Sequence, residues 1–190
     1  MSGKIFQLKI ETDYSELNIC RRVLLTSTSS LLKLHETIVV IFGFEGNLPF
    51  GFYEFYEFGD NCNEITNKNN YNQISISKAF NKIKCINYTY DFSNCWDFKI
   101  TLEKILDEDN SLPHPLCIDS EGGMILDGVG GEYGYRIIAD LCRRKINSRK
   151  NGLIHSDQNF ETLEDEYKDF DPDAFDINTV NLKLSSIPNE

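Results

Sequence analysis

The stretch that most constrains the fold is residues 88–106, YTYDFSNCWDFKITLEKIL, because its side chains alternate on two consecutive arms. Tyr88, Tyr90 and Phe92 alternate with Thr89 and Asp91, and Trp96, Phe98, Ile100 and Leu102 alternate with Asp97, Lys99, Thr101 and Glu103. Period two on both arms predicts two strands with one apolar face. Ser93-Asn94-Cys95 between them has the composition of a hairpin loop, since Asn tolerates positive φ and short polar side chains satisfy turn backbone groups. The hairpin brings seven large side chains to one face, enough to anchor a small core.

Other elements are arranged around this hairpin. KIFQLKI (4–10) and ICRRVLL (19–25) read as strands joined by a polar turn. Within the second, Arg21 and Arg22 must point to opposite faces, one outward and one toward the core edge or a carboxylate. Leu31, Leu34, Ile38, Ile41 and Phe42 recur at helical spacing behind a run of hydroxyl residues, which predicts a helix over 31–42 capped by Ser29 or Ser30. His35 lies on the flank of that stripe and reads as a hydrogen-bonded boundary residue. FYEFYEF (52–58) is a strand by propensity, and 59–73 is an Asn-rich loop. Ile74 and Ile76 suggest a short strand, with Ser77 capping a single helical turn. This order predicts an α+β fold, a mixed β-sheet with one packed amphipathic helix in a β-grasp-like arrangement.

After residue 106 the periodicity fades into a segment rich in Gly and Pro, and helical spacing returns at Tyr135, Ile138, Leu141, Cys142 and Ile146, with Ile137, marking a helix over 133–146 with a basic outer face. An acidic helix over 157–170 and a short helix after Pro172 are expected beyond it. The organisation is therefore an α+β sheet domain over 1–106, a loop over 107–134, and a helical C-terminal segment over 135–190 packed on the same domain. Residues 156–190 carry ten acidic groups and two lysines, whereas 136–150 carry six basic groups and one aspartate. The acidic segment keeps Phe160, Leu163, Tyr167, Phe170, Phe175, Ile177, Val180 and Leu182, too many apolar groups for a solvating tail. It is predicted to fold back on the helix over 133–146 with its carboxylates facing Arg143, Arg144 and Lys145.

Composition excludes some classes. With 41% hydrophobic and 26% charged residues the chain is an ordinary globular one. No apolar run reaches the ~20 residues of a membrane-spanning helix, and the start has neither basic flank nor apolar signal core, so a cytoplasmic location is the expectation. Six cysteines without a CxxC pair read as reduced thiols. A net charge of −11 weighs against nucleic acid, for which Arg136, Arg143, Arg144, Lys145, Arg149 and Lys150 are the one argument. GVGGEYG at 128–134 superficially resembles a phosphate-binding GxGxxG, but the third glycine is displaced and no buried strand precedes it.

The hairpin, standing as YTYDFSNCWDFKITLEK, is similar to a signature of the form YxYDFGDxWxHxIxLEK. It comes with KIFQLKI, the IxRRxL of 19–24, Leu34-His35, Gly43-Phe44, PLC at 115–117, GGEYGY at 130–135 and FDPDAFDINTVN near the end. On these residues the chain resembles the plasmid pRiA-type ORF-three-like family, also labelled passenger proteins of insertion elements, which implies an association with mobile elements. Where that family carries His, Asp and Cys, this chain has Gly51, Tyr53, Ser93-Asn94, Phe98, Met124 and Val129. If those positions bind metal or do acid–base work in relatives, most of that set is missing here, so neither cofactor nor metal is expected. The expected function is a non-catalytic accessory or protein-interaction module. The alternatives are a divergent hydrolytic enzyme with a site between the hairpin and loop 117–134, and a nucleic-acid-associated factor. The candidate surface comprises Asp91, Asn94, Trp96, Glu103, Cys117, Asp127, Tyr135, Arg21 and Arg22. No catalytic set is assigned, Asp91 and Glu103 reading as solvated strand charges.

Overall fold

The structure is a computed structural model that describes residues 3–13, 17–54, 64–65, 70–107, 113–150, 167 and 169–188. Its order is β1 (Lys4–Thr12), β2 (Cys20–Thr26), α1 (Leu31–Phe42), β3 (Phe50–Glu54), a 3-10 turn (Tyr71–Gln73), α2 (Ile76–Ala79), β4 (Cys85–Tyr90), β5 (Trp96–Asp107), β6 (Leu116–Glu121), α3 (Gly131–Lys150) and α4 (Ile177–Leu184). The strands form one six-stranded sheet in the order β3-β4-β5-β1-β2-β6. Every pairing between these strands is antiparallel, so the α+β class holds while the expected mixed sheet does not.

Period two explains the layering. Leu8 and Ile10 of β1 sit opposite Val23 and Arg21 of β2, and opposite Leu102 and Ile100 of β5. Tyr88 and Tyr90 of β4 sit opposite Phe98 and Trp96. The apolar ones among these side chains, with Phe52, Leu34, Ile38 and Phe42, form one cluster between the sheet and α1, against which Leu102 packs partly buried. The opposite face carries Lys9, Arg22, Lys99 and Glu103, the polar side that an antiparallel sheet with one covered face is expected to show. Ser30 caps α1 by accepting from the Lys33 amide at 3.0 Å. Gly43 ends it at φ +86°, in the left-handed region that closes a helix most cheaply with glycine.

Three sequence expectations are corrected here. Residues 74–76 form no named strand: Ser75, not Ser77, caps α2 by accepting from the Lys78 amide, and it also bridges Ser30. The third strand is Phe50–Glu54, and residues 55–58 of the expected strand lie outside the described residues. A sixth strand, β6, lies inside the expected loop 107–134 and joins the sheet beside β2.

Of the segment expected to fold back on the helix over 133–146, the described residues 169–188 pack chiefly elsewhere. α4 packs on β6 and α1, burying Val180 and Leu184 and leaving Leu182 73% exposed. Phe170 meets Tyr135 of α3 edge-on, and the Arg143 guanidinium donates to Asp173 at 2.9 Å. The expected acidic helix, including Phe160 and Leu163, lies outside the described residues.

His35 is buried rather than at a boundary. Its ring stacks on Phe50 with centroids 3.5 Å apart, and Nδ1 shares a hydrogen bond with the Tyr88 hydroxyl at 2.8 Å. Burial pushes its pKa down to about 4. The unfolded chain, with an ordinary imidazole near 6.5, therefore takes up this proton first as pH falls. Stability should be unaffected by this group above pH 6.5 and lost progressively between 6.5 and 4, by roughly 3 kcal/mol in full. Urea melts from pH 7 to 5 should show this slope, and His35→Leu should flatten it.

Candidate functional site

The predicted site residues fall into three neighbourhoods. At the hairpin turn, Asp91 and Cys95 take the positive φ angles, +55° and +50°, rather than Asn94. Asp91 can do so because its own groups close the turn. Its carbonyl accepts from the Asn94 and Cys95 amides at 3.1 and 2.6 Å. Its carboxylate accepts from the Ser93 amide at 3.1 Å and from Asn94 Nδ2 at 2.7 Å. Asp91 is 5% exposed, so it is a buried turn former and not the solvated strand charge its position predicts.

The segment before α3 closes over this turn. A Cβ on Gly131 would lie 2.4 Å from the Asn94 carbonyl oxygen, and its φ is +68°, so both contact and conformation require glycine. Asp127 accepts from the Glu45 amide at 3.0 Å and from the Tyr90 hydroxyl at 3.2 Å, tying the loop after α1 to β4. Burial, then the Asp127 carboxylate, raises the Tyr90 pKa. Trp96 lies between Phe44 and Tyr135, at 6.0 and 5.9 Å between ring centroids, and the Tyr135 hydroxyl donates to the Met124 carbonyl at 3.4 Å. Asp91, Asn94, Trp96, Asp127 and Tyr135 are thus brought together, but as packed rings and internal hydrogen bonds.

Arg21 and Cys117 form a second neighbourhood. The Arg21 guanidinium is wholly buried and donates to the carbonyls of Ile41 (3.2 Å), Cys20 (2.8 Å), Glu121 (2.6 Å) and Gly123 (2.5 Å). It lies 3.9 Å from the centre of the Phe175 ring. Desolvation pushes its pKa down to about 10, which still leaves it charged at neutral pH. Cys117 donates its thiol to the Asp119 carbonyl at 3.6 Å, and burial raises its pKa, the reverse of an activated nucleophile.

The third neighbourhood is the open face of the sheet. Arg22 donates to both Glu103 oxygens at 3.1 Å and to Asp119 at 2.6 Å, and Gln7 donates to Glu103 at 2.7 Å. These bonds, led by the one to Asp119, raise the Arg22 pKa. Glu103 and Asp91 therefore have separate partners and form no carboxylate pair.

Cavities lined by described residues include one of about 450 Å³ beside Thr28, Ser30, Glu36 and Gln73, one of about 260 Å³ beside Lys9, Cys20 and Glu121, and one of about 280 Å³ beside Tyr53, Asn87, Thr89 and Asp97. None of these three is lined by a predicted site residue. Among the described residues no group of three or more His, Cys, Asp or Glu side chains is placed to hold a metal ion, and no helix is long and apolar enough to cross a membrane. The cysteines Cys20, Cys85, Cys95, Cys117 and Cys142 form no disulfide with one another.

Sequence reasoning missed the display of α3. Tyr135, Ile138, Ala139 and Cys142 are buried, whereas Tyr133 is 75% and Ile137 43% exposed on the opposite side. Their spacing was a usable signal: at 100° per residue, Tyr133 and Ile137 fall out of phase with the buried stripe. Arg144 shares that outward face, and Arg136 beside it faces Glu132 at 3.7 Å.

A family model described as plasmid pRiA4b ORF-3-like protein matches residues 4–179. The uncharacterized protein y4hQ of Sinorhizobium fredii is 24% identical over 160 residues, 78% of each chain. Among solved structures, the protein of unknown function MM3350 from Methanosarcina mazei Go1 superposes with a TM-score of 0.78 at 22% identity, covering 94% of this chain and 98% of that one. At that identity the likeness speaks for the fold.

Two substitutions test the neighbourhoods. Trp96→Ala should cost ~3–5 kcal/mol in urea melts, as expected when a buried ring leaves a cavity between packed neighbours. Arg21→Lys keeps the charge but cannot reach four carbonyls from one planar group. It should cost about 2–4 kcal/mol, from lost charged hydrogen bonds and unsatisfied carbonyls, and hydrogen exchange should speed up at Gly123 and Met124.

Proposed function

The chain belongs to the plasmid pRiA4b ORF-3-like family, and from that premise we propose that it is a non-catalytic module that binds a protein partner through the solvent face of α3. The observation that carries this reading is the pair Tyr133 and Ile137, exposed opposite the buried stripe of their helix. Large apolar groups flanked by arginines are the composition of interface centres, where aromatic residues and Arg are enriched. The polar residues expected to do chemistry point the other way, since Asp91, Asn94 and Asp127 are engaged in holding the turn and loops in place.

The basic residues of α3 set the character of the partner. Arg143 is held by Asp173 and faces Asp140, and Arg136 faces Glu132, while Arg144 is exposed on the same helix. The side chains of Arg149 and Lys150 lie outside the described residues. A partner with an apolar patch rimmed by carboxylates fits this face better than a phosphate backbone, because two of the arginines already have acidic neighbours.

The test is co-purification with tagged wild type, identification by mass spectrometry, and titration of the recovered protein against variants. Tyr133→Asp with Ile137→Asp should keep the unfolding free energy within about 0.5 kcal/mol, as for surface changes, and weaken binding at least about tenfold. Asp127→Asn should bind like wild type. Unchanged binding by the double variant would remove the surface, and tighter binding to a duplex DNA fragment with steep salt dependence would replace the protein partner by nucleic acid. Turnover of ester, phosphoester or peptide substrates that is lost in Asp127→Asn or Cys117→Ala would replace the module by an enzyme.

A further inference from the structure

On the open face of the sheet one row of side chains is short. Gly51 of β3 lies opposite Thr89 of β4, and Thr89 lies opposite Asp97, the second residue of β5. The row ends at Asp13, whose amide donates to the Asp97 carbonyl at 2.9 Å, one step beyond the β1–β5 register. In the adjacent row Tyr53 lies opposite Asn87, Asn87 opposite Lys99, and Lys99 opposite Glu11. Period two puts both rows on the face the core does not use, since the intervening Phe52, Tyr88 and Phe98 are buried.

The short row leaves room for the cavity of about 280 Å³ lined by Asp13, Tyr53, Asn87, Thr89, Asp97 and Phe98. Tyr53 walls one side of it. A Cβ on Gly51 would lie 2.6 Å from the Tyr53 hydroxyl oxygen, so the ring leans back along the strand into the space a side chain at 51 would take. Thr89 donates to Asp97 at 2.5 Å and fixes that carboxylate beside the ring. Asp13 and Asp97 meanwhile put like charges on directly opposed residues, which costs stability unless positive charge lies between them. No Lys, Arg or His is among the described residues that line the cavity. Lys9, farther along β1, is held by Glu11 at 2.5 Å.

We propose that this cavity binds a small organic cation, an alkylammonium group on a short chain. Asp13 and Asp97 supply the opposing charge, the Asn87 carboxamide oxygen accepts a hydrogen bond, and the Tyr53 ring offers its π face to the cation. A bare divalent ion suits the site less well. It would fill a small part of the volume, it takes oxygen ligands rather than a ring face, and no group of three His, Cys, Asp or Glu among the described residues is placed to hold one. An anion would meet two carboxylates. The inference stands apart from the α3 face, and neither requires the other.

Calorimetric titration of the full chain with putrescine tests it. Wild type should show saturable binding that weakens as salt rises. Asp13 is exposed, so Asp13→Asn should leave the fold intact; it should weaken binding about tenfold, as loss of one partner of a charge pair implies. Tyr53→Phe should bind within about twofold of wild type and Tyr53→Leu several-fold more weakly, because the contact is to the ring and not the hydroxyl. Butanediol, of the same length without charge, should not bind. Putrescine binding without binding of N-acetyl-lysine amide would make the ligand a free amine, and the converse would make it a lysine side chain. Failure of both amines to saturate the protein would overturn the proposal. So would equal weakening by Asp13→Asn and by Glu45→Gln, an exposed carboxylate outside the cavity, since that is diffuse attraction to a chain of net charge −11.

Discussion

The fold depends on a cation that no carboxylate among the described residues meets. Arg21 lies on the core side of β2, and its guanidinium is neutralised piecemeal, by carbonyl dipoles from α1, from β2 itself and from both sides of the turn after β6, and by the Phe175 ring. Taking such a group out of water costs several kcal/mol unless its donors are satisfied. Arginine suits the site because its planar fork serves several acceptors at once and is less strongly hydrated than an ammonium. The segments it collects are far apart in sequence. The helix end, the β6 turn and the C-terminal segment meet at Arg21 because each contributes an oxygen or a ring that the others cannot replace.

Lys33 repeats the arrangement on a smaller scale. It is 4% exposed on α1, and its ammonium meets the carbonyls of Ile187 and Pro188. Two buried cations thus fasten opposite ends of the C-terminal segment to the sheet domain, with Val180 and Leu184 burying apolar surface between them. Apolar burial supplies the larger share of the attachment, since surface pairs such as Arg143 with Asp173 contribute only about 0–1 kcal/mol. The cations determine where that segment runs.

What the sequence made legible follows the range of the interactions involved. α1 was readable to the residue because its stripe, its Ser30 cap and its Gly43 terminus are all local, and the hairpin was readable because β4 and β5 pair across a five-residue turn. β6 was not, since LCIDSE has no alternation and becomes a strand only by pairing with β2, nearly one hundred residues earlier. Asp91 was misjudged because a charged residue in a strand pattern reads as solvated, whereas its partners are the turn residues Ser93, Asn94 and Cys95. For Arg21 the alternation allowed an inward side chain, but apart from the adjacent Cys20 carbonyl its acceptors lie far away in sequence, at Ile41, Glu121 and Gly123. The family resemblance was legible because its motifs coincide with such constrained points: the turn at Asp91, the arginine in β2, and the glycine at Gly131 that lets α3 approach Asn94.

The strand order also has a bearing on synthesis. β1 is a central strand, paired on one side with β2 and on the other with β5, whose first residue is Trp96. A ribosome delivers the first partner almost at once and the second only after another sixty-nine residues, 27–95, which at ~5–20 residues per second takes about 3–14 s. For that interval β1 has an open side and the apolar face of β1, β2 and α1 lacks the aromatic half of its core. Only when the hairpin emerges can the nascent sheet close, so the stretch most readable in the sequence is also the one for which the earlier strands must wait.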